Sequence, residues 1–288
     1  MKTKFLQAVA LMVFVAPLHA SPLNESTFTE IINDVATIST TGNAKPAKIN
    51  EILKSPERVR TGPQSRAELT APDQTITRIG ADTIFSFADS GRTLNLEQGN
   101  VLFHAPKGLG GGTIRSGGAA AAVLGTTIIV SATPYGGFKV ILLEGHGTVT
   151  LPDGTIATLN AGQLVFVLPG GTLSPVLNIN LGKLVNGSLL INGFPDKLTS
   201  LPLINDAIRA QDKLLKSGRA VDTGWPVELY FYPPMPGNGL DTIDHGTYGT
   251  GVPSPILPPG PKIPGSTGPA SNGGSGGRGF VPVIPPPG

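Results

Sequence analysis

The 288-residue chain contains no cysteine, so no disulfide, thiolate nucleophile, cysteine zinc site or iron–sulfur cluster can form. It has only four histidines, one of them His19 inside an apolar N-terminal segment, which leaves few side chains for a haem or metal site. Charge is scarce as well, at 14% of residues against a usual figure of about 25%. The 21 basic and 19 acidic residues nearly cancel, and without Lys2 and Lys4 they balance. A chain with no basic surplus lacks the electrostatic footprint of a nucleic-acid binder.

Glycine and proline are what the chain has in excess, at 39 and 28 residues. Half of the last 56 residues, Pro233 to Gly288, are Pro or Gly. Such a stretch cannot bury enough apolar surface to offset its ordering entropy, so a disordered tail with local polyproline II character is expected. The first 20 residues, with Lys2 and Lys4, an apolar run from Phe5 to Leu18 and a Leu-His-Ala end, have the three-part pattern of a secretory signal peptide. The run is shorter than the ~20 residues a membrane span needs, and Gln7 and Pro17 interrupt it. The mature chain is expected to begin at Ser21, to be exported to the periplasm or beyond, and to have no transmembrane span.

Between Phe28 and Pro169 short apolar runs recur every eight to twelve positions, separated by Gly, Pro, Asn or Asp. That spacing predicts an all-β fold. Strands are expected at Phe28–Ile38, Arg66–Thr70, Thr75–Ile79, Thr83–Phe87, Thr93–Leu96, Val101–His104, Thr113–Ile114, Ala121–Leu124, Thr127–Ala132, Phe138–Leu143, Thr148–Leu151, Thr155–Leu159 and Gln163–Leu168. The continuous runs Thr127–Val130 and Val140–Leu143 suit strands covered on both faces. One helix is expected over about 204–217, capped by Asn205 or Asp206 and ended by Gly218. The resulting division is a signal peptide (1–20), a β domain (21–170), an extension with one helix (171–232) and the tail (233–288).

Several stretches in this β region carry a resemblance. Arg58-Val59-Arg60-Thr61-Gly62-Pro63-Gln64-Ser65-Arg66-Ala67-Glu68-Leu69 is followed by Asp73 to Gly80, then by Leu94-x-Leu96-x-x-Gly99-x-Val101. After these come Val123-Leu124-Gly125-Thr126, Leu143-Glu144-Gly145 and Leu159-Asn160-Ala161-Gly162-Gln163. Together they resemble the FecR-domain proteins, whose best-known members are transmembrane regulators carrying this domain in the periplasm. The resemblance implies an all-β domain, a rolled or solenoid-like stack of short strands, with a β-sandwich as the alternative. Its motif positions are Thr61, Gly62, Ser65, Gly99, Gly125, Thr126, Glu144, Gly145 and Gly162. Only four residues precede the apolar run, so no sigma-factor-binding segment is expected, and Leu124 stands where the family's V-R-G-T signature has arginine.

Other motifs have simple explanations beside their chemical ones. Lys107 to Thr113 is glycine-rich but lacks the Walker ending and a following helix, so it reads as a connector. His104, His146, Glu144 and Asp153 form a metal or acid–base set only if the strands gather them. Asp82, Asp89, Glu97 and Glu144 are candidates for a glycosidase pair, or solvated turn charges. Arg58, Arg60, Arg66, Arg78 and Glu68 suggest an exposed cross-strand ion-pair ladder. Gly273-Gly274-Ser275-Gly276-Gly277 has no strand–turn–helix context. Trp225, Tyr230, Phe231 and Tyr232 suggest packing at the domain end or a glycan-stacking platform.

The resulting expectation is an exported, non-enzymatic binding or scaffold module of the bacterial envelope. It needs no cofactor and no metal, and its partner is an envelope protein or polysaccharide. The alternatives are a carbohydrate-active hydrolase and a periplasmic signalling component that works with a separate membrane partner.

Overall fold

The computed structural model describes residues 21–89 and 91–219. These lie within 1–247, the first of the two units into which the chain divides, and 248–288 falls outside them. The leader, the aromatic cluster from Trp225 to Tyr232, the 273–277 motif and the Pro/Gly tail also lie outside the described residues.

Strands dominate. In the first half they are β1 (Glu25–Ile32), β2 (Val35–Ile38), β3 (Ala44–Pro46), β4 (Ile52–Lys54), β5 (Arg58–Thr61), β6 (Arg66–Thr70), β7 (Ile76–Ile79), β8 (Ile84–Phe87) and β9 (Thr93–His104). In the second half they are β10 (Gly112–Ser116), β11 (Ala119–Val123), β12 (Thr127–Ala132), β13 (Phe138–Glu144), β14 (His146–Thr150), β15 (Ile156–Asn160), β16 (Gln163–Leu168), β17 (Thr172–Leu173) and β18 (Leu177–Asn178). Helices α1 (Leu181–Gly187), α2 (Leu189–Asn192) and α3 (Leu201–Lys216) follow.

The strands form one rolled sheet with two faces. One face runs β4-β1-β6-β7-β9-β12-β13-β16, with β17 and β18 on β16. The other runs β3-β2-β5-β8-β9-β10-β11-β14-β15. Strand β9 belongs to both: Leu94 to Gln98 pairs with β8, and Gly99 to His104 pairs with β12. Between the faces lies a core that includes Phe28, Val59, Phe85, Phe103, Phe138, Val149 and Leu159. A fully buried Phe contributes about 1.5–3 kcal/mol, and Phe85 and Phe87 meet edge to face at 5.1 Å.

The outer side of the first face is covered by a second apolar layer. Leu102, Ile129, Ile141, Leu143 and Leu164 pack there against Leu181, Leu184, Ile191 and Ile204 from the helices. This double covering is why β12 and β13 are buried along their whole length, as their unbroken apolar runs predict. We call this the covered face and the other the exposed face.

The chain crosses between faces at creases rather than at full stops. The stretch predicted as a single strand from Phe28 to Ile38 is cut at Asn33-Asp34, where Asn33 takes φ 61°. Conversely, Thr93–Leu96 and Val101–His104 are one strand, creased at Gly99 with φ 91°. The other creases fall at Gly62, Gly80, Gly125, Gly145 and Gly162. Three of these need left-handed backbone, whereas Gly62 and Gly80 do not. At Gly62 the constraint is space, because a Cβ would lie 2.7 Å from Asp34 Oδ2.

The two halves share one wiring plan. In the first, β5 pairs with β8, β6 with β7, and β9 with both β7 and β8. In the second, β11 pairs with β14, β12 with β13, and β15 and β16 take the place of β9. Gly62 and Gly99 are 37 residues apart, as are Gly125 and Gly162.

Two helical expectations need correction. Residues 181–192 are helical although their pattern signals no helix, because Leu184, Val185, Leu190 and Ile191 are bought by the sheet surface rather than by propensity. Helix α3 begins at Leu201, behind Ser200 with Pro202 in its first turn, not at Asn205 or Asp206. Gly218 closes it with φ 70° and a hydrogen bond to the Leu215 carbonyl.

Candidate functional site: the exposed face and its rims

The motif positions are structural fasteners at the creases. The Thr61 hydroxyl donates to the Gly80 carbonyl at 2.6 Å and accepts from the Thr83 amide at 3.0 Å. Ser65 Oγ donates to the Pro63 carbonyl and accepts from the Asp34 amide. Thr126 Oγ1 donates to the His146 carbonyl at 3.1 Å, and Gly145 leaves room for that threonine. Gly162 accommodates Gln211 of α3, whose amide group bonds Ile179 and Leu181. These residues are spread over the creases of both halves, and no single pocket gathers them.

The candidate acid–base set is partly assembled. His104, Thr127 and Glu144 lie side by side on β9, β12 and β13 and are all buried. Thr127 Oγ1 donates to Glu144 Oε1 at 2.9 Å, so its oxygen accepts from His104 Nδ1–H, also at 2.9 Å. That assignment places a proton on Nδ1, and burial, which lowers the His104 pKa, disfavours a second one on Nε2. Burial likewise raises Glu144, against the pull of the Thr127 hydroxyl and the charge of Lys107. Sequence reasoning missed Thr127; its only signal is a hydroxyl in the first position of an apolar strand. His146 is elsewhere, bonded to Asn160 Oδ1 and exposed, and Asp153 turns the β14–β15 hairpin. Among the described residues no group of three or more His, Asp or Glu can hold a metal ion.

The candidate carboxylate pair is dispersed. Asp89 accepts from Ser55, Glu97 pairs with Arg58, Glu144 holds Thr127, and Asp82 occupies the crease after Gly80 with φ 50°. The Lys107 loop leads into strand β10, so no helix follows it.

The expected exposed charge ladder is corrected at its centre. Arg58–Glu97 and Arg60–Asp34 are exposed pairs, both at 3.3 Å. Arg78 is instead wholly buried, 2.7 Å from Glu68 Oε2. It also donates to the Leu190, Ile191 and Asp196 carbonyls and lies 4.4 Å from the Phe194 ring centre. The helical layer makes it so, clamping α2 onto β7.

What remains open is the outer side of the exposed face. Thr93, Thr113, Ala122, Thr148 and Thr158 stand in register across five strands. A second row runs Arg58, Ser86, Asn95, Arg115, Ala120, Thr150 and Ile156. At one end the β10–β11 and β12–β13 turns wall this row into a groove of about 530 Å³.

Residues 57–148 match the family described as FecR protein. Over that stretch the chain is FecR-like. That match spans β5 to β14 and includes all the motif positions except Gly162. No curated protein matches the chain. Two crystal structures from Parabacteroides distasonis ATCC 8503, both provisionally described as anti-sigma factors, show a loose likeness. The first, at 18% identity and TM-score 0.39, covers 45% of this chain and 64% of its own, less than two thirds of its length. The second, at 16% identity and TM-score 0.38, covers 54% of this chain and 92% of its own. Likenesses this loose carry no functional assignment.

Proposed function

We propose that this FecR-domain chain is an exported, non-enzymatic binding module of the bacterial envelope, and that the exposed face is its contact surface. The observation that carries the reading is the contrast between the two outer surfaces. One is sealed by helices, while the other presents rows of Thr, Asn, Ser and Ala with no helix over them among the described residues. Short polar side chains on a pleated surface make many weak hydrogen bonds to an extended ligand. The leader pattern of residues 1–20 supports export. The FecR match supports a second reading, a signalling component that works with a separate membrane partner.

The test is co-sedimentation of residues 21–288 with purified envelope polysaccharide, alongside an assay for released reducing sugar. Retention without sugar release is expected, and Thr148→Arg with Thr158→Arg should reduce retention at least tenfold. Sugar release would favour a hydrolase, and no retention of the unaltered chain would end the polysaccharide-binding form of the proposal.

A further inference from the structure

We infer that the groove at the end of the exposed face is a subsite for an acidic polysaccharide, with Arg115 as the residue that reads the sugar carboxylate. The inference rests on the binding-module reading and names its ligand class.

The charge pattern comes first. On this face Arg58 and Arg60 are held by Glu97 and Asp34. Arg115 is exposed on β10, and among the described residues its side chain has neither a hydrogen bond nor an ion pair. Its fork of donors is therefore available, and guanidinium matches a carboxylate in bidentate fashion. Glu97 also lines the groove, but its charge is offset by Arg58 at 3.3 Å.

The shape is the second observation. Asn95, Arg115, Ala120 and Thr150 are consecutive partners across four strands and form the floor. Ala120 keeps the middle of the floor low, while Asn95 and Thr150 offer an amide and a hydroxyl on either side of it. The wall is closed because the β10–β11 turn abuts the β12–β13 turn: a Cβ on Gly117 would lie 3.1 Å from Gly136 Cα. That second turn carries Tyr135, 69% exposed, an aromatic surface of the kind on which sugar rings stack. The row continues past the groove to Ile156, so a linear polymer can lie along it. From Arg58 to Ile156 are six strand steps, about 29 Å at the ordinary strand spacing. One uncompensated arginine amid amides and hydroxyls suits a polymer with one carboxylate per sugar. It is too little charge for a nucleic acid.

The experiment is titration of residues 21–288 with polygalacturonate and, in parallel, with neutral dextran. Preference for polygalacturonate is expected. Arg115→Gln should weaken that binding at least tenfold, leave dextran binding unchanged and keep the thermal midpoint, and Arg115→Lys should restore part of the loss. Undiminished polygalacturonate binding by Arg115→Gln overturns the groove assignment. Equal binding of both polymers overturns the acidic class while leaving the module reading intact. No binding of either polymer, with retention on envelope polysaccharide, overturns this subsite alone; loss of that retention too removes the reading beneath it.

Discussion

At the scale of residues, the His104–Thr127–Glu144 row has two opposed titrations. His104 has its folded pKa lowered by burial from 6.5, so the unfolded chain binds the proton first and stability is lost as pH falls through about 6.5. Glu144 has its folded pKa raised above 4.5, so the folded chain takes up the proton first and stability is gained as pH falls toward 4.5. Urea unfolding across pH 4.5–7.5 should separate them. Glu144→Gln should lose stability more steeply than the unaltered chain below pH 6.5, and His104→Asn should lose it less steeply. The same slope in all three would mean that neither group is perturbed. Glu144 and both histidines could be picked out from the sequence as reactive types, but their sorting could not. His104 and Glu144 are 40 positions apart, and only the β9–β12–β13 register puts a hydroxyl between them.

At the scale of elements, the creases are the parts most sensitive to side-chain volume. Gly99 combines φ 91° with a Cβ position 2.5 Å from Thr83 Cα. Gly99→Ala should cost about 2–4 kcal/mol, from the backbone angle and the overpacking together. Gly154, with φ 86° but nothing within 4 Å, should cost only about 1 kcal/mol on the same change. Thermal or urea midpoints check the order, and equal losses would refute the role given to the crease. The strand pattern here was legible because alternation and Gly or Pro punctuation are local signals: Arg66–Thr70, Thr127–Ala132 and Gln163–Leu168 appear within the predicted bounds. Creased strands were not, since a glycine within β9 and a glycine between β11 and β12 look alike in sequence. Helices α1 and α2 were hidden for another reason, because their apolar residues follow the sheet they lie on.

At the scale of the whole molecule, Arg78 joins the helical layer to the roll. Arg78→Met leaves Glu68 buried without its cation and strips donors from three carbonyls, a loss of about 3–5 kcal/mol. Hydrogen exchange should show α2 losing protection before the strands do. Adding Glu68→Met should recover part of the loss, because it removes the stranded charge. A double variant no more stable than the single one would show that the guanidinium–carbonyl bonds, not the ion pair, dominate. The sequence placed Arg78 and Glu68 in one ladder with Arg58, Arg60 and Arg66; the burial of Arg78 depends on residues more than a hundred positions away, at Leu190, Ile191 and Asp196.

The repeated wiring on either side of β9 bears on ancestry. Two identical half-chains of three creased strands, meeting edge to edge and later joined end to end, would give this order of strands once a single strand came to serve both halves. On that history Gly62, Gly80 and Gly99 are the paralogues of Gly125, Gly145 and Gly162. The unlike neighbours of the last pair, Thr83 beside Gly99 and Gln211 beside Gly162, then mark where the second half specialised to carry α3.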